Sequence, residues 1–175
     1  MKQPKNKFKS FDQFGVEEKM GVPSGIVEIA DKTGEYLMEI LWDKGILDNQ
    51  EFHKTYKCEN PHPEFPVDAI SLSVTHQLKP FMSKPISAEG SFDGTSLKIV
   101  DGKLLFEITV NTSISLMESV STPPRELFSK VLEEIKGLFY HEFLHVYEEY
   151  KRTQKDKLNN MLRTKDFLYS SGAST

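Results

Sequence analysis

The chain of 175 residues has one cysteine, Cys58, so no internal disulfide can form and no cysteine-rich zinc site can be built. Stability must come from a packed core or from a metal held by other ligands. No apolar run approaches the roughly 18 residues of a membrane span. The first apolar side chains, Phe8, Phe11 and Phe14, are isolated among lysines and do not form a secretory leader. Positive charge is not in excess: 22 Lys and Arg stand against 26 Asp and Glu, for a net charge of −4. That balance gives no nucleic-acid footprint. There is no internal repeat and no low-complexity tract. These absences point away from membrane, nucleic-acid and disulfide-stapled classes. They leave a protein of a reducing cytoplasm, or one packaged from it into a particle.

What is present suits a single domain with a core, at 38% hydrophobic and 27% charged residues. Residues 1–22, with Lys2, Lys5, Lys7 and Lys9, read as a flexible basic arm. Residues 23–170 read as the domain and residues 171–175 as a loose tail. Ile26, Ile29, Ala30, Thr33, Leu37, Ile40 and Leu41 keep helical spacing, with Ser24 a candidate N-cap and Gly45 a candidate stop. Gly34 is a point where that helix could bend. Residues 46–68, with Pro61, Pro63 and Pro66 among polar residues, read as a long irregular connection. His53 and His62 fall there and read as surface histidines.

Strand signals follow. Ile70, Leu72, Val74, His76 and Leu78 alternate with small polar residues, which buries His76 with the apolar set. A second strand is expected over Ile86–Phe92, with a turn at Asp93-Gly94. The clearest hairpin joins Leu97–Val100 to Leu104–Val110 through Asp101-Gly102. Residues 113–121 read as a connection. Ser121-Thr122-Pro123-Pro124 then starts a helix whose apolar positions run from Leu127 to Phe139. Leu158, Met161, Leu162, Phe167 and Leu168 suggest a further short amphipathic helix.

Within the long helix stands His141-Glu142-Phe143-Leu144-His145. Histidines four residues apart share a helix face, where two imidazoles can bind one zinc ion, and the glutamate between them can accept a proton from a water there. A wheel carried forward from Leu127 and Phe139 brings His145, Glu142, Val146 and Glu149 inward, puts His141 at the edge of the stripe, and turns Phe143 and Tyr147 to another side. Inward carboxylates require a compensating cation.

The H-E-x-x-H pattern resembles the active-site helix of the zincin metallopeptidases. The order helix, sheet, motif helix, further helix is similar to small zincin domains. Tyr147 and Tyr150 after His145 look like zincin-like proteins of bacteriophages. The resemblance implies an α+β zincin-like domain with a short, mostly antiparallel sheet. It implies zinc as cofactor, His141 and His145 as ligands, Glu142 as general base, and a peptide or protein substrate held beside a strand. The metzincin continuation H-x-x-G-x-x-H is missing. A gluzincin-like third ligand would fall nearest Asp166, and Glu148 and Glu149 suit orientation of a histidine. The rival expectation is a catalytically silent zincin-like structural or assembly protein, such as a phage virion component with protein partners. A third is an α+β binding module in which the histidines are incidental.

Overall fold

A computed structural model describes the backbone of residues 23–173 and the side chains of residues 23–165. The basic arm expected over residues 1–22 lies outside the described residues. The elements in order are α1 (Ser24–Lys44), β1 (Gln50–Lys57), β2 (Val67–Lys79), β3 (Ile86–Phe92), a 3-10 turn (Gly94–Ser96), β4 (Lys98–Val100), β5 (Lys103–Ser115), α2 (Leu116–Ser121) and α3 (Pro124–Ala173). The chain is α+β, with five strands in one sheet.

The sheet order is β1-β2-β5-β3, with β4 also on β5. β1 pairs antiparallel with β2, and β3 and β4 pair antiparallel with β5. The central pair differs: β2 and β5 run parallel from Val67↔Leu104 to Lys79↔Ser115. The sheet is therefore mixed. A parallel pair needs a long crossover, and here β3 and β4 occupy it.

Alternation sets the layers. Ile70, Leu72, Val74 and His76 of β2 and Phe106, Ile108, Val110 and Thr112 of β5 are buried on one face, where α1 and α3 pack. Ser71, Ser73 and Thr75 point to the other face, which remains largely open. Asp101 and Gly102 both have positive φ, 52° and 77°, as the two-residue hairpin turn requires. Gly45 ends α1 at φ 108° and donates its N–H to the carbonyls of Leu41 and Trp42. The residue before the helix is Pro23, with no side-chain cap, so Ser24 does not serve as N-cap.

Four expectations change. The segment expected to be irregular contains β1. Its sequence is polar because it is an edge strand on which only Gln50, Phe52 and Tyr56 are partly covered. Residues 113–121 extend β5 and then form α2, capped by the Ser115 hydroxyl accepting from the Glu118 N–H. The separate C-terminal helix does not exist: α3 is one helix of 50 residues reaching Ala173, about 75 Å long at about 1.5 Å per residue. Its helical backbone also takes in residues 171–173 of the expected tail. Gly34 causes no break in α1. It faces Lys136 of α3, whose Cγ would lie 2.8 Å from an added Cβ, so glycine lets the two helices approach closely.

Candidate functional site

The motif lies on the part of α3 that runs beside β3. Three contacts fix this alignment. Lys84, just before β3, pairs with Glu134 at 2.9 Å. Leu138 sits over Gly90, where an added Cβ would be 2.8 Å from its Cδ1. Glu149 sits over Gly94, 3.5 Å from the position of an added Cβ. Strand and helix therefore advance together, and His141, Glu142 and His145 fall between the second and third contacts. At about 100° per residue, Glu134, Leu138 and Glu149 span a sector of about 60°. His145 lies inside it, and His141 and Glu142 lie about 20° beyond either side.

β3 ends the sheet on this side. Both histidines are exposed, and Glu142 is half-buried. This corrects the wheel, which turned His145 inward and Phe143 elsewhere. Phe143 and Val146 are fully buried, and Phe143 stacks on Phe139 and meets Phe106 edge-on. The buried row of α3 is Leu127, Val131, Ile135, Phe139 and Phe143. Successive members of an i, i+4 row rotate by about 40°, so the row has turned about 160° round the helix by the motif. A direction averaged over the first turns does not carry forward.

Electrostatics agree with side chains at a boundary. Partial burial and then the nearby charge of His145 hold His141 below the usual imidazole value. Burial raises the Glu142 carboxyl above the usual range, and attraction to His145 opposes that shift. The ring of His141 also meets Tyr140 edge-on at 6.2 Å.

The other expected ligands are elsewhere. Asp166 is on the same unbroken helix, 21 residues after His145. The rise of about 1.5 Å per residue separates them by about 30 Å, so one chain does not bring Asp166 to the histidines. Glu149 pairs with Arg152 and rests over Gly94, and Glu148 is exposed. Among the described residues, no group of three or more His, Cys, Asp or Glu side chains is placed to hold a metal ion. The donors present are two imidazoles one turn apart with a carboxylate between them. They fit two of zinc's four usual positions.

Two of the remaining histidines have structural partners. His76 is fully buried, with Nδ1 2.6 Å from Thr112 Oγ1 and Nε2 2.6 Å from the Ile46 carbonyl. A carbonyl only accepts, so Nε2 carries the proton and Nδ1 accepts from the threonine. His62 Nδ1 accepts from the Glu64 N–H, which turns a protonated Nε2 toward Ser24. A histidine in that tautomer cannot take the serine proton. His53 is exposed on β1.

Gly90 is the positioning residue that sequence reasoning passed over. Its signal was available, because glycine inside a strand pattern marks a close approach. Compared with models of protein families, with curated proteins and with solved structures, the chain matches none. Among the described residues, no helix is long and apolar enough to cross a membrane.

Proposed function

We propose that this chain is a zincin-like metal-dependent hydrolase domain that acts on extended peptide. The observation that carries the reading is the alignment of His141, Glu142 and His145 with the edge strand β3. His141 and His145 would hold a zinc ion through ring nitrogens. Bound zinc supplies Lewis-acid polarisation of the scissile carbonyl. Glu142 accepts the proton of the attacking water, and its raised carboxyl pKa makes it a stronger base than an exposed glutamate. The outer edge of β3 offers main-chain N–H and C=O groups to an added peptide strand, which would bring a peptide bond alongside the motif.

The second reading is a catalytically silent zincin-like assembly protein. The absence of a third ligand among the described residues favours it. Elemental analysis of purified protein with two variants separates the readings. The hydrolase reading expects one zinc per chain, loss of that zinc in His145→Ala, and retained zinc without peptide cleavage in Glu142→Gln. Stoichiometric zinc with no effect of Glu142→Gln selects the silent reading. No transition metal in the protein defeats the hydrolase reading and the metal site with it.

A further inference from the structure

The last described turns of α3 leave the body of the molecule. None of the residues 151–165 is buried, and all except Thr153 are exposed. This overhang is about 20 Å long. It carries Lys151, Arg152, Lys155, Lys157, Arg163 and Lys165 against one acid, Asp156. Leu158, Met161 and Leu162 add a compact apolar face at 56%, 62% and 50% exposure. Three neighbouring large apolar side chains at i, i+3 and i+4 are the anchor pattern of a helix that docks.

The body has the complementary surface. Residues 23–150 carry 21 acids against 11 bases. On α1, Glu28, Glu35, Glu39 and Asp43 are exposed along one side of the helix. Lys32 and Lys136 pair with Glu28 and Glu35. Glu39 and Asp43 have no ion pair among the described residues. The row ends beside Trp42 and Leu47, which are 37% and 47% exposed. The last turns of α1 thus present Glu39 and Asp43, with Leu47 just past them, and the overhang presents Lys151 and Lys155 and then Leu158, Met161 and Leu162, with Arg163 and Lys165 beyond. Parallel alignment of the two matches charge to opposite charge and apolar to apolar.

Direction supplies a further constraint. Trp42 meets Phe128, while Asp31 and Glu35 meet Lys136, so α1 runs antiparallel to α3 in its own chain. An overhang lying parallel to α1 of a second copy is then antiparallel to that copy's α3. A two-fold axis perpendicular to α3 generates two antiparallel α3 helices, and each overhang can then reach the other's α1 at once.

We infer that residues 151–165 are a docking arm for the outer face of α1 in a second copy, giving a reciprocal two-fold dimer. Sedimentation equilibrium of the full chain at 50 mM and 500 mM salt tests this. A dimer is expected at low salt, with Kd rising at least tenfold at high salt. Glu39→Lys with Asp43→Lys should weaken the dimer at least tenfold. Adding Lys151→Glu and Lys155→Glu to that variant should recover most of the affinity. All four positions are exposed, and circular dichroism checks that each variant keeps the fold. A monomer at both salt concentrations overturns the inference. So does a dimer insensitive to the α1 change, which would indicate pairing of overhang with overhang. Failure of the compensating change to recover affinity overturns it as well.

Discussion

Replacing Gly90 by alanine tests how the motif is positioned. An added Cβ would lie 2.8 Å from Leu138 Cδ1 and 3.2 Å from the Thr109 carbonyl oxygen. The leucine methyl can rotate away, but Leu138 is 8% exposed and has little free space. The carbonyl belongs to β5, where Thr109 is registered with Ser91, so it can yield only by a few tenths of an ångström. Overpacking of this kind costs about 1–3 kcal/mol, and the stiffer unfolded chain returns about 0.4–1 kcal/mol. A net loss of about 1–2 kcal/mol in urea unfolding is expected. The same variant separates metal binding from peptide binding. His141 and His145 sit on one rigid helix, so zinc affinity by calorimetry should be unchanged. Cleavage should fall several-fold, because the helix shifts relative to the strand that would hold the peptide. Unchanged stability would refute the close contact of α3 with β3, and a parallel loss of zinc affinity would refute a site built from one helix alone.

Two further outcomes follow from buried groups. Burial lowers the His76 pKa despite the favourable Ile46 carbonyl, so the unfolded chain takes up this proton first. The resulting stability is present above the unfolded value of about 6.5 and is lost as pH falls from there toward the folded value, by at most about 1.4 kcal/mol per pH unit. Urea unfolding at pH 5.5 and 7.5 should show that difference, and His76→Gln should flatten it; an equal pH slope in the variant contradicts the assignment. Burial, with the Asp68 charge second, pushes the Cys58 thiol up to about 12. Its reaction with a disulfide reagent at pH 8 should be slower by about 100-fold or more than in urea-unfolded chain, and equal rates would contradict the burial.

The parts of the fold legible in the sequence were those with strong local chemistry. Asp101-Gly102, the β3 run and the stop at Gly45 each depend on a short pattern, and each forms where that pattern stands. β1 was hidden because an edge strand needs few apolar residues. The continuity of α3 was hidden because the polar stretch after Lys151, exposed among the described residues, resembles a connection. The motif itself was legible as chemistry, but its orientation was not. Its exposure depends on how a buried row winds between α1 and the sheet, which is a property of packing. Nor does local sequence state that Asp166 shares an unbroken helix with the histidines, which is what separates them.

The parallel pairing of β2 with β5 also bears on how the chain is made. β2 is complete at Lys79, but its inner partner is complete only at Ser115. At synthesis rates of about 5–20 residues per second, the interval is about two to seven seconds. Through that interval the edge of β2 that will meet β5 has no partner, and Ile70, Leu72 and Val74 lack Phe106, Ile108 and Val110, the core residues registered beside them. A nascent chain at this stage displays an open edge and an apolar surface together, the combination that promotes association between unfinished molecules. Folding yield should therefore be more sensitive to chaperone supply and expression temperature than the stability of the finished protein would suggest.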